Sequence, residues 1–124
     1  MPATTEVETV DILFIADDPD LAEMYRLKLE LDGYWVHVVE PESAVAEARK
    51  HRPELVFLDL PPGRLDRLAL LHDVRSAMHR PELPAIVLSS TFRQDLQQQS
   101  PLLSAFDYIV RVADLRSTSS AWPS

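Results

Sequence analysis

Short apolar runs alternate with longer amphipathic stretches along this chain. The runs are Ile12 to Ala16, Trp35 to Val39, Leu55 to Leu58, Ile86 to Leu88 and Tyr108 to Val110. Each is short and mostly β-branched or aromatic, the composition of a strand. Continuous rather than alternating apolar character predicts strands buried on both faces, as in a parallel sheet.

The stretches between them predict helices. Asp18-Pro19 sets a capping carboxylate before a proline, a helix start. Leu21, Met24, Leu27 and Leu31 follow at helical spacing, and Gly33 ends the segment. Pro41 opens a second helix that runs to about His51, where Pro53 stops it. Asp66 is the expected cap of a third helix carrying Leu68, Leu71, Arg75 and Met78 on one side. Pro81 and Pro84 bracket the turn into the fourth strand. A fourth helix is expected within Phe92 to Ser104, although Pro101 interrupts it. The alternation of strand and helix argues a doubly wound α/β domain.

The chain has 124 residues, the length of one domain. Hydrophobic residues at 46% and charged residues at 26% suit a globular protein and exclude a disordered tail, a fibrous repeat or a disulfide scaffold. A net charge of −8 argues against nucleic-acid binding by this domain, because phosphate contacts need cations. There is no cysteine, so thiolate metal sites are excluded. No apolar run approaches the roughly 18 residues that span a membrane. Met1 to Thr9 is polar and acidic, unlike a signal peptide, so a cytoplasmic protein is expected. Ten prolines stand against two glycines.

In a doubly wound sheet, ligands sit outside the carboxyl ends of the strands, where strand order reverses. The first run ends in Ala16-Asp17-Asp18, the third in Leu58-Asp59-Leu60, the fourth in Leu88-Ser89-Ser90 and the fifth in Val110-Arg111. Parallel strands would bring three carboxylates, a hydroxyl and a guanidinium to one edge. Clustered carboxylates repel unless a cation or proton intervenes. An all-oxygen set suits Mg²⁺. A carboxylate at its centre can attack phosphorus and become an aspartyl-phosphate.

With these residues in place, the sequence resembles the receiver domain of two-component response regulators. The resemblance rests on Phe14-Ile15-Ala16-Asp17-Asp18, Leu55-Val56-Phe57-Leu58-Asp59-Leu60, Ile86-Val87-Leu88-Ser89-Ser90 and Asp107-Tyr108-Ile109-Val110-Arg111, and covers about residues 10 to 112. It implies a flavodoxin-like five-stranded parallel sheet of order 2-1-3-4-5. It also implies that Asp59 is the phosphoacceptor, that Asp18 and Asp59 bind Mg²⁺, and that Asp17 assists, usually through water. The backbone carbonyl of Pro61 would be a further metal ligand, Ser89 the hydroxyl that follows the phosphoryl group, and Tyr108 the aromatic switch. A histidine kinase or phosphotransfer protein would be the donor. Nothing in the chain suggests an enzyme with its own substrate.

The departures are specific. The family's lysine is Arg111, and the cis-proline after it is Val112. The proline four past the acceptor is Gly63, and the glycine after Asp66 is Arg67. The Ala-Gly before the fifth strand is Ser104-Ala105-Phe106. Arginine keeps the charge of lysine but not its compact shape. These departures favour a second reading, a pseudo-receiver that works as an interaction module without phosphate. A phosphohydrolase would commonly carry another aspartate where Pro61 stands.

Blander readings apply to several of these residues. Asp17-Asp18 can be a helix cap, Arg111 a standing counterion to Asp17, Asp18 or Asp59, and Tyr108 a packed aromatic. His37, His51, His72 and His79 lack metal-ligand spacing and read as structural or solvated. Trp35 reads as core or strand packing, and Gln97 to Gln99 as a solvated helix face.

The receiver-like unit is expected over residues 10–116, with 1–9 and 117–124 as flexible tails. No second domain follows it in the sequence, so output by protein–protein contact or phosphate relay is expected. After Arg111, only Leu115 and Val112 are placed to face a core, so the last helix is expected to be short or missing. The face beside the fifth strand would then be open to a second copy of the chain, a partner, or Trp122.

Overall fold

The computed structural model describes residues 10–61, 63–89 and 103–111. Five strands form one parallel sheet: β1 (Asp11–Ile15), β2 (Trp35–Val39), β3 (Leu55–Leu60), β4 (Ala85–Ser89) and β5 (Asp107–Arg111), in the order β2-β1-β3-β4-β5. Three helices are described: α1 (Pro19–Leu31), α2 (Ala44–His51) and α3 (Leu68–Met78). The expected sheet and its order are both present. The expected fourth helix, Gln97 to Gln99, Val112, the last helix and Trp122 lie outside the described residues. Among the described residues, no helix is long and apolar enough to cross a membrane.

Strand alternation sorts the apolar runs into two cores. Ile12 and Phe14 of β1, Val36 of β2 and Phe57 of β3 face α1, which contributes Ala22, Tyr25 and Leu29. The β1–β3 register sets Phe14 beside Phe57, and their rings stack at 5.5 Å. On the other face Leu13, Ile15, Val56, Leu58 and Val87 meet Ala44 and Ala48 of α2 and Leu68, Leu71, Val74 and Met78 of α3.

The helix ends follow the local chemistry. Asp18 caps α1, its Oδ1 accepting from the Asp20 and Leu21 amides at 3.0 and 3.3 Å, with Pro19 in the first turn. At the other end Gly33 lies at φ 99°. Its amide donates to Glu30 and that of Tyr34 to Leu29, the paired bonds of a Schellman closure. Helices α2 and α3 close on non-glycine residues in the left-handed region, Arg52 (φ 49°) and His79 (φ 57°).

Two expectations need correction, those for Asp66 and Trp35, and two further details refine the helices. The stripe Met24, Leu27 and Leu31 does not face the core: these side chains are 57, 52 and 87% exposed. Helix α1 carries two apolar stripes on opposite sides, and the smaller one, Ala22-Tyr25-Leu29, lets the helix approach the sheet. Asp66 does not cap α3; it sits inside a 3₁₀ turn, Leu65–Arg67, and pairs with Arg64. Pro41 opens the second helical run as expected; its first turn, Pro41–Ser43, is 3₁₀ and passes directly into α2. Trp35 starts the edge strand with its side chain exposed, outside the core. The histidines fit their structural reading: His37 of β2 and His51 of α2 stack at 3.8 Å, and Glu47 lies 3.0 Å from His51 Nε2.

Arg75 was expected on the apolar side of its helix, and it is buried there. Its Nη2 lies 2.6 Å from Asp107 Oδ1, the two side chains being 9 and 1% exposed. Its Nε donates to the Leu83 carbonyl at 2.9 Å, and the Ser104 amide donates to Asp107 Oδ2 at 2.9 Å. Removing one partner of a buried pair strands the other charge, at about 3–5 kcal/mol. Arg75→Met and Asp107→Leu should each destabilise the domain by about that much in chemical denaturation. The double variant should be less destabilised than either single one.

Candidate functional site

The register of the sheet assembles the site. Asp59 of β3 lies opposite Leu88, Leu60 lies opposite Ser89, and Ser89 of β4 lies opposite Arg111 of β5. Asp59, Ser89 and Arg111 therefore end neighbouring strands at one edge. Asp17 and Asp18 leave β1 at the same edge, where the Ala16 amide extends the pairing by donating to Val39 at 3.1 Å. Five of the residues expected to act together are thus at the carboxyl end of the sheet, at the crossing from β1 to β3 where strand order reverses.

Their surroundings differ. Ser89 is buried and Asp59 half-buried, while Asp17 and Asp18 are exposed. The capping role of Asp18 is real, and it uses one carboxylate oxygen. The Pro61 carbonyl accepts from the Arg64 amide at 3.1 Å, which leaves it a second lone pair. Tyr108 is not a packed aromatic; its side chain is 57% exposed on β5. Arg111 is placed here by its strand register.

Two arginines that the motifs do not include stand in the loop after β3. Arg64 makes a two-pronged pair with Asp66, Nε to Oδ1 and Nη2 to Oδ2, both at 3.0 Å. Those hydrogen bonds hold the Asp66 carboxyl below its ordinary pKa. Arg67 reaches the acidic residues themselves, with Nη1 3.0 Å from Asp17 Oδ2. The sequence signal for Arg67 was its place where the family has glycine, eight residues after Asp59. Gly63 turns the same loop at φ 77°, in a region that side-chain-bearing residues rarely adopt.

Among the described residues, no three His, Cys, Asp or Glu side chains gather round one point as a metal cage. A cation here would rest on one or two carboxylates, backbone oxygen and water, which is how Mg²⁺ is commonly bound. The donors at this edge, aspartate carboxylates and a backbone carbonyl, fit that chemistry.

No protein-family model matches the chain. It is 34% identical over 84 residues to the probable transcriptional regulatory protein TcrX of Mycobacterium tuberculosis, covering 67% of this chain and 35% of that protein. It is 34% identical over 102 residues to the nitrogen assimilation regulatory protein NtrX of Azorhizobium caulinodans, covering 80% of this chain and 22% of that one. An uncharacterised 14.6 kDa protein of Leptolyngbya boryana is 32% identical over 107 residues, 85% of this chain and 81% of its own. The fold matches chemotaxis protein CheY4 of Vibrio cholerae with a TM-score of 0.69, at 18% identity over 93% of this chain and all of that one. It also matches the receiver domain of a sensor histidine kinase from Pseudomonas aeruginosa, which holds a magnesium ion in its active site cleft. That match has a TM-score of 0.67 and 22% identity, over 93% of this chain and 98% of that one.

The chain belongs to the response regulator receiver family. This receiver domain spans well under half the length of TcrX and NtrX.

The observed cap of Asp18 and the cation-binding role expected for it can be separated by substitution. Asparagine caps helices about as well as aspartate, whereas alanine forfeits about 1 kcal/mol. Asp18→Asn should melt close to the parent protein while losing divalent-cation binding. Asp18→Ala should lose both binding and about 1 kcal/mol of stability, read by thermal denaturation and cation titration.

Proposed function

We propose that this receiver domain accepts a phosphoryl group on Asp59 from a phosphohistidine of a histidine kinase or phosphotransfer protein, and signals through protein–protein contact. The register that brings Asp59, Ser89 and Arg111 to one edge beside Asp17 and Asp18 carries this reading. The receiver unit over residues 10–116 is part of it.

In the step we infer, an Asp59 carboxylate oxygen attacks phosphorus. The new O–P bond forms as the N–P bond of the donor breaks, and that bond's electron pair returns to the imidazole nitrogen. Asp18, Asp59 and the Pro61 carbonyl would hold Mg²⁺, with Asp17 reaching it through water. Bound there, the ion supplies positive charge to the phosphoryl oxygens. Ser89 donates its hydroxyl to a phosphoryl oxygen, and Arg111 offsets the charge that accumulates. A displaced Ser89 side chain vacates space towards which Tyr108 turns from its outward position. The receiver family and the magnesium-bearing neighbour support this reading. Association of two copies beside β5, where Tyr108 is exposed, would be its readout.

Acetyl phosphate with Mg²⁺ should add a single phosphoryl group, seen by intact-mass spectrometry, and Asp59→Asn should abolish it. Light scattering before and after phosphorylation should show whether the β5 face then pairs. A protein that binds Mg²⁺ yet gains no mass would instead be an interaction module working without phosphate.

A further inference from the structure

The ion pair between Arg67 and Asp17 couples an unexpected cation to the acidic edge. Arg67 Nη1 is 3.0 Å from Asp17 Oδ2, and the arginine side chain is only 15% exposed against 44% for the aspartate. The other charged groups nearby are already committed. Arg64 is held two-pronged by Asp66, and Asp18 spends one oxygen on the α1 amides. Asp17 is thus the acidic residue whose charge the loop after β3 answers directly.

The loop fixes where Arg67 starts from. The Arg64 amide donates to the Pro61 carbonyl at 3.1 Å, and the Arg67 amide donates to the Arg64 carbonyl at 3.0 Å. One short chain of backbone bonds therefore links Arg67 to Pro61, which follows directly on β3. Arginine stays protonated at any pH a protein experiences, so its charge can leave the site only by movement of the side chain.

We propose that Arg67 is a resident cation of the acidic edge, which competes with a divalent metal ion for Asp17 and sets how tightly that ion binds. The proposal rests on the reading of this edge as a metal-assisted phosphoacceptor site. With no metal present, Arg67 relieves the repulsion among Asp17, Asp18 and Asp59. A divalent ion brings two further positive charges to the same few ångströms, and the guanidinium must yield Asp17 to the ion or its water. Metal affinity is then lower than the carboxylates alone would give, and metal binding turns Arg67 outward.

The test uses Mn²⁺, whose free fraction is read by electron paramagnetic resonance, with Mg²⁺ as competitor, at low ionic strength. Arg67→Gln keeps a polar side chain, two atoms shorter than arginine, and removes the charge. It should bind Mn²⁺ roughly two- to fivefold more tightly than the parent protein, the upper part of the range for an ion pair near the surface. Arg67→Lys, which keeps the charge, should stay near the parent. Raising salt should narrow the gap, because screening weakens the pair it removes. Thermal melting without metal checks that each variant is folded; were Arg67→Gln not folded, the Arg67→Lys and Asp17→Asn titrations would carry the comparison, with Asp17→Asn then expected to make the identity of residue 67 immaterial. If the parent binds Mn²⁺ and Arg67→Gln binds it equally or more weakly, Arg67 is no competitor, and the metal reading of the edge survives alone. If neither binds Mn²⁺, both that reading and the role of Arg67 are overturned.

Discussion

The buried pair between Arg75 and Asp107 is the constraint on which the far side of the sheet depends. One guanidinium reaches from α3 to the turn before β4, through Leu83, and to the start of β5, through Asp107. Asp107 in turn takes the Ser104 amide, so the turn into β5 closes on the same carboxylate. The pair need not add net stability, because desolvating two charges costs about as much as their attraction returns. Its effect is on specificity: a β5 that slipped by one residue would leave a charge buried and unpaired. That register is also what sets Arg111 opposite Ser89 at the other end of the strand.

The sheet therefore divides its labour between its two edges. At the amino edge, Arg75 and Asp107 are enclosed and mutually satisfied, and they can only hold. At the carboxyl edge, Asp17 and Asp18 are exposed, and Asp59 is half-buried beside a loop that carries two arginines. A strand rigidly placed at one end presents groups that remain exchangeable at the other. This is the arrangement expected where a scaffold positions chemistry on its loops.

Much of this was legible in the residues. The strands are nearly where the apolar runs put them, because β-branched runs between turn residues have few other places to go. Asp18 was readable as the cap of α1, since a carboxylate directly before a proline has the α1 amides within reach. The inward face of α1 was not readable. Met24, Leu27 and Leu31 make a larger apolar stripe than Ala22, Tyr25 and Leu29, and periodicity cannot say which of two stripes the sheet will accept. Close packing chose the one that includes the small, fully buried Ala22. The place of Arg75 on an otherwise apolar helix face was legible, but nothing local pointed to Asp107 as its partner. The pairing of Arg67 with Asp17 depends on the path of a loop, which residue pattern does not specify.

The scarcity of glycine has a consequence for how this domain can move. Where α2 and α3 end, the left-handed backbone positions are filled by Arg52 and His79, basic side chains that suit the negative end of a helix dipole and that lack glycine's freedom. Of the two glycines, Gly33 is tied into the closure of α1 by backbone bonds. The other, Gly63, has open space around it and sits between Pro61 and the arginines of the acidic edge. Among the described residues, the backbone freedom that glycine confers is thereby placed, outside the closure of α1, in the loop next to the acidic edge.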